Sequence, residues 1–150
     1  YGPRQSARAV VPTIITQLLN RSEEIHIGSL HPTRDLNYVS DVCKGFIYLS
    51  QCNEAVGREV NIGSGKEISI GDLAKEIINI INPDAKVVSE DLRKRTEKSE
   101  VERLLCDNGL IHKITGWKPE VSLRDGLIKT IEWFKNPHNL QRYKWDIYNV

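Results

Sequence analysis

Helical and strand-like hydrophobic patterns alternate along this chain and predict an α/β fold, mixed in the α+β sense, with short strands layered on about five helices. Three observations carry that prediction. Apolar residues keep helical spacing around 10–19, 42–49, 70–81 and 123–134. Short β-favouring runs at 25–27, 36–39, 58–62 and 87–88 fall among those stretches. Glycine, proline or a capping serine stands at most of the junctions.

Residues 1–7 contain Gly2, Pro3 and Ser6 and read as loop. Val10, Val11, Ile14, Ile15, Leu18 and Leu19 then mark an amphipathic helix, with Pro12 in the first turn, where its missing N–H costs nothing. Arg4 and Arg8 lie just ahead of that helix, and a helix N-terminus beside guanidinium groups suits an anion. Solvated loop arginines are the equally weighted alternative.

The stretch 25–41 organises the rest. Two β-like runs, 25–27 and 36–39, flank a Gly/Ser/Pro turn carrying Arg34, and are expected to form a hairpin-like unit that aims the arginine at a phosphate. Ser40 and Asp41 are expected to cap a helix with Val42, Cys43, Phe46, Ile47 and Leu49 on its core side. Residues 58–62 read as a strand entering Gly63-Ser-Gly65, which is expected to be a plain turn more than a phosphate cradle.

Ser69 and Asp72 stand in capping-box spacing ahead of Ile70, Leu73, Ala74, Ile77, Ile78 and Ile81, a core helix stopped by Pro83. A brief strand through Val87 and Val88 follows. The charged stretch 93–103 is by default a solvated surface, yet its three arginines suit bidentate phosphate contacts. Asp107 and Asn108 are expected to cap a short helix ending before Gly116, and Ser122 with Asp125 to cap the last one, with Leu123, Leu127, Ile128, Ile131 and Phe134. Residues 1–135 are expected to form one domain and 136–150 a tail whose aromatics dock on the body or on a partner.

With 21 basic and 20 acidic side chains, no global field recruits nucleic acid or an acidic membrane, so an anion site must be local. Three cysteines without metal-ligand spacing argue for inert thiols in a reducing compartment and against bound metal. No apolar run reaches the ~18 residues of a membrane span, and the expectation is a soluble, cytoplasmic protein. The chain contains no methionine and opens on a turn, which is expected of a piece of a longer protein. The four histidines are scattered, and no nucleophile elbow, zinc motif, Walker loop or Gly-x-Gly-x-x-Gly fingerprint is present. The residues by themselves indicate an anion-binding α/β module with candidate arginines Arg4, Arg8, Arg34, Arg95 and Arg103, and no reaction.

Tyr1-Gly-Pro-Arg-Gln5, Pro12 opening a helix, Ile27-Gly-Ser, the run Thr33 to Asp41, Asn61-Ile-Gly63, and Gly116-Trp-Lys-Pro with Gly126 together resemble the C-terminal part of nucleotide-sugar epimerases and dehydratases. These belong to the extended short-chain dehydrogenase/reductase family, and the resemblance runs to about residue 135. The segment 93–104 and the opening residues are most similar to the nucleotide-sugar 4,6-dehydratases, including those acting on N-acetylglucosamine nucleotides. Thr96, where many relatives have proline, and Gly109-Leu110, where Ser-Lys is usual, depart from the pattern.

The resemblance implies a division of labour. An N-terminal Rossmann half would bind NAD and carry the Tyr-x-x-x-Lys pair, so the catalytic residues would lie upstream of Tyr1. This part would bind the nucleotide-diphosphate sugar, with Arg34 and Arg95 on the diphosphate and Arg8 near it. Val10, Val11 and Pro12 would line the nucleotide pocket opposite Ile27 and Gly28, while Tyr1 and Arg4 would run beside the cofactor. Arg103 is expected to be structural. The whole enzyme, implied to be a homodimer, would oxidise sugar C4 with NAD and then either lose water across C5 and C6 or re-reduce the ketone from its other face. The fragment alone is expected to be inactive. The alternative is a ligand-binding or interaction module of the same fold without catalysis.

Overall fold

The structure is a computed structural model that describes residues 1–20, 23–93 and 99–146. Among the described residues, six α-helices and five short strands follow the predicted mixed α/β order. Helix α1 (Val10–Leu19) leads into β1 (Glu24–Ile27) and β2 (Thr33–Arg34), followed by α2 (Val39–Ser50). Then come β3 (Ile68–Ser69), α3 (Ile70–Ile81), β4 (Lys86–Ser89), β5 (Arg103–Leu104), α4 (Gly109–Thr115), α5 (Leu123–Lys135) and α6 (Pro137–Leu140).

The core forms where helical and strand periodicities converge. Val11, Ile14, Ile15 and Leu18 of α1 meet Leu73, Ala74, Ile77 and Ile78 of α3, and Leu127, Ile131 and Phe134 of α5, over Ile25 and Ile27 of β1. Strand β1 pairs in parallel with β4, from Glu24 opposite Lys86 to Ile27 opposite Ser89. The buried side chain of Gln17 caps the other edge of β1: it accepts from His26 N at 2.8 Å and donates to His26 O at 3.2 Å. An apolar residue there would orphan two backbone groups of the strand.

The capping boxes form as predicted. Ser69 Oγ accepts from Asp72 N at 3.0 Å, and Ser122 Oγ from Asp125 N at 3.1 Å. Asp107 accepts from Gly109 N at the start of α4, and Gly116 closes that helix at φ 72°, the left-handed conformation glycine takes without strain.

Four expectations are corrected. The stretch 25–41 is no hairpin: β1 belongs to the β1–β4 sheet, whereas β2 lies in a second sheet, antiparallel to β3 and parallel to β5. The Gly/Ser/Pro turn therefore crosses between sheets, and residues 36–38 form no strand. Residues 58–62 form no strand either, because none of the described residues pairs with them in a ladder.

Helix α2 starts at Val39, and neither Ser40 nor Asp41 caps it. Asp41 is buried and its Oδ2 instead accepts from Glu120 N at 3.1 Å and Val121 N at 2.9 Å, while its carbonyl accepts from Trp117 Nε1 at 3.1 Å. The predicted core side of α2 is also only partly met, with Val42 and Leu49 half-buried. Its buried residues are Asp41 and Gly45, while Cys43, Phe46 and Ile47 are exposed, so Cys43 is no buried thiol.

The tail is partly resolved in favour of docking on the body. Tyr143 packs edge-on against Phe134, centroids 4.8 Å apart, and its hydroxyl donates to Gln5 O at 2.9 Å. No helix among the described residues is long and apolar enough to cross a membrane.

Candidate functional site

The N-terminal end of α1, the loop after β1 and strand β2 converge on a cleft of about 320 Å³. Arg8, Ala9, Val10 and Thr13 form one wall, and His26, Ile27, Gly28 and Ser29 the facing one. Pro32, Arg34, Ile70, Arg93 and Glu100 complete it. Local chemistry sets each wall. Ala9 has extended backbone where α1 begins, and no side chain caps the helix, so its first N–H groups keep their attraction for negative charge.

Arg34 reaches the cleft because β2 is held on both edges, by β3 and by β5. Its Nη2 lies 2.9 Å from Glu100 Oε1, and its Nη1 donates to Thr33 O at 2.8 Å and Val101 O at 2.6 Å. The Arg34 and Glu100 side chains are only 19% and 13% exposed, so this ion pair is well shielded from water. Across the cleft His26 Nδ1 stands 2.6 Å from Glu90 Oε1, and Arg93 Nε donates to Glu90 Oε2 at 2.6 Å. Arg93, with His26, holds the Glu90 carboxyl below its ordinary range.

The base of β2 is fastened by its next residue. Asp35 Oδ1 accepts from Ser64 N (3.0 Å), Ser64 Oγ (2.6 Å) and Asn37 Nδ2 (3.1 Å), and Oδ2 from Gly65 N (2.9 Å) and Cys106 N (3.3 Å). The Gly63-Ser-Gly65 turn is thus a concave set of N–H donors, as a phosphate loop would be, but its anion is the protein's own Asp35. Gly63 is required by close approach, because a Cβ there would overlap the Cys106 side chain. Burial and the neighbouring Asp35 raise the Cys106 thiol above its usual value.

Of the residues expected at the site, Arg8, Val10, Ile27, Gly28 and Arg34 come together in this cleft. Val11 is fully buried in the core and Pro12 is buried on α1, and neither lines the cleft. Arg95 lies outside the described residues. Arg103 forms a bidentate pair with Glu67, whose carboxyl it lowers.

Tyr1 and Arg4 lie away from the cleft. The Tyr1 hydroxyl donates to Leu123 O at 3.0 Å and its ring meets Tyr38 edge-on, so its polar handle serves the fold. Arg4 is exposed at φ 68°, third in a turn closed by Gln5 N to Gly2 O. Sequence reasoning noted Arg93 only as one of three phosphate-suited arginines in 93–103, and passed over Thr13, His26 and Glu100 as site residues. Helical spacing placed Thr13 one turn from Ala9, but only the β1–β4 pairing carries His26 toward the Glu90–Arg93 segment. Among the described residues no group of acidic, histidine or cysteine side chains is arranged to hold a metal ion.

The family profile described as GDP-mannose 4,6 dehydratase matches residues 1–130. Human dTDP-D-glucose 4,6-dehydratase is 34% identical over 144 residues, a match covering 93% of this chain and 40% of that protein. Among solved structures, the epimerase Mth375 of Methanothermobacter thermautotrophicus superposes with a TM-score of 0.82 at 28% identity, over 95% of this chain and 42% of that one. A UDP-glucuronic acid 4-epimerase of Bacillus cereus, in complex with NAD, superposes with a TM-score of 0.76 at 26% identity, over 96% of this chain and 43% of that one. The chain therefore spans less than half the length of the proteins it matches.

Proposed function

The chain belongs to the GDP-mannose 4,6-dehydratase family, within the NAD-dependent nucleotide-sugar epimerases and dehydratases, and on that premise we propose that it is the part of such an enzyme that holds the nucleotide-diphosphate sugar. One observation carries the proposal: the cleft gathers Arg8, Arg34 and Arg93 from three distant segments around the start of a ten-residue helix. Cationic side chains and uncapped N–H groups facing one space suit a diphosphate. Val10, Ile27 and Ile70 give the same cleft apolar surface for a base or ribose.

Arg34 is poised but engaged. A diphosphate arriving at its Nη2 would share or replace the Glu100 carboxylate, so part of its binding free energy goes into breaking that pair. NAD would supply the hydride chemistry at the sugar, and the groups described here offer it little. Of the two residues aligned with the cofactor, only Arg4 presents its side chain to solvent, whereas the Tyr1 phenol is bonded within the fold. The role of this chain is therefore binding and alignment of the sugar, with the reacting groups supplied by the remainder of the enzyme.

The test is calorimetric titration of uridine, thymidine and guanosine diphosphate sugars into the enzyme with and without Arg34→Ala. Loss of one charge-assisted contact should weaken binding by about 1.5–3 kcal/mol. Equal affinity of the two proteins would remove Arg34 from the site.

A further inference from the structure

The segment ahead of α1 carries Arg8 to the cleft, yet it forms only turns. Among the described residues Arg4 is the one non-glycine residue at positive φ, 68°. A residue with a Cβ keeps that conformation only where bonds around it over-determine the backbone. Gln5, the next residue, supplies such bonds. Its N–H donates to Gly2 O at 3.3 Å, and its carbonyl accepts from the hydroxyl of Tyr143, 138 residues further along, at 2.9 Å. Beyond Gln5 the ties are local: Ala9 N donates to Ser6 O at 3.0 Å, and Thr13 Oγ1 to Ala7 O at 3.1 Å. Whatever fixes Gln5 therefore fixes the approach of the chain to Arg8.

The segment after α5 is arranged to put Tyr143 at that carbonyl. Asn136 Oδ1 accepts from His138 N at 2.9 Å and starts α6, which packs on α5. Asn139 Nδ2 then donates to Trp133 O at 2.8 Å, and Tyr143 N to Leu140 O at 2.9 Å. The Tyr143 ring meets Phe134, which is fully buried, and Trp133 edge-on, with centroids 4.8 Å and 6.3 Å away. These ring contacts fix the direction of the phenol. Burial also raises it above its ordinary value, so the hydroxyl keeps its proton and remains a donor. A phenylalanine would pack as well on the same rings, and the hydroxyl is the part that reaches the loop.

We propose that Tyr143 is a positioning residue for the diphosphate site: through the Gln5 carbonyl it holds the loop 2–8 so that Arg8 faces the cleft. The inference rests on the anion-cleft reading and adds to it a residue that does not line the cleft. It gives the segment after α5 a part in binding as well as in packing.

The test uses the whole enzyme that contains this chain, with Tyr143→Phe, Arg8→Ala and the double variant. Tyr143→Phe keeps the ring on Phe134 and removes the donor. Amide hydrogen exchange, read by mass spectrometry without ligand, should be about 10-fold faster in residues 2–9 and unchanged in α3, since one hydrogen bond fewer opposes local opening. Calorimetry with uridine, thymidine and guanosine diphosphate sugars should show binding about 3- to 10-fold weaker for Tyr143→Phe. Once Arg8 is alanine, the same change should weaken binding by less than about twofold, because residues that act through one another do not add. Exchange at 2–9 as slow as in the parent enzyme overturns the proposal. So do losses that add in the double variant, which mark a general softening of the fold and not a path through Arg8. The cleft is judged separately by Arg34→Ala: a loss there with none for Arg8→Ala keeps the cleft and rejects the role of Tyr143.

Discussion

Replacing Asp35 by alanine tests how the cleft is held in place. The carboxylate accepts five hydrogen bonds, three of them from the backbone N–H groups of Ser64, Gly65 and Cys106. Water can reach Gly65 N, so its loss is largely made good, but Ser64 N and Cys106 N are part-buried and would stay without an equal partner. At about 1.5 kcal/mol for each such charge-assisted bond, the variant should lose about 3 kcal/mol. Asparagine keeps one acceptor oxygen for Ser64 but turns an NH₂ group toward the donors of Gly65 and Cys106, so about 2 kcal/mol should be lost. At this chain length 3 kcal/mol corresponds to a Tm roughly 6–12 °C lower. Urea unfolding followed by circular dichroism gives the free energy directly. A loss under about 1 kcal/mol for the alanine variant would mean that the Gly63-Ser-Gly65 turn does not depend on Asp35.

Two other outcomes follow from the geometry. Arg4→Gly should raise stability by up to about 1 kcal/mol, because φ 68° strains a side chain with a Cβ and not glycine; a less stable variant in thermal melts would show that Arg4 makes a contact worth more than its strain. Acid should destabilise the fold through Glu67, Asp72 and Glu90, whose carboxyls are lowered by Arg103, Lys75 and Arg93 respectively. Their folded values lie below the unfolded ones, so the unfolded chain binds more protons in that window. The stabilisation is complete above about pH 4.5 and is lost as pH falls through the folded values. Melts between pH 3 and 6 should show Tm falling on the acid side, with a shallower fall in Glu67→Gln; a flat profile would contradict these pairings.

Local chemistry was legible wherever one segment settled its own structure. The boxes at Ser69 and Ser122, Pro12 in the first turn of α1 and Gly116 after α4 follow from backbone groups within a few residues of each other. The core of α1, α3 and α5 followed from periodicity for the same reason. The organising stretch 25–41 was legible in its contents and not in its connections. Its spacing showed two β-like runs, but pairing is decided by which distant segment lies alongside, and β4 and β5 were out of reach of any local signal.

The sequence by itself determined the family, the mixed α/β class and part of the cleft, because Arg8, Val10, Ile27, Gly28 and Arg34 sit beside recognisable turns and helix starts. Tertiary structure alone decided that Val11 belongs to the core, that Asp35 and not a ligand fills the glycine turn, and that Arg34 is paired with Glu100. It also decided which face of α2 is dry. Periodicity shows that a helix has an apolar side, but the direction of that side depends on what lies next to it, and here the chain sets Asp41 and Gly45 inward and leaves Phe46 and Ile47 open.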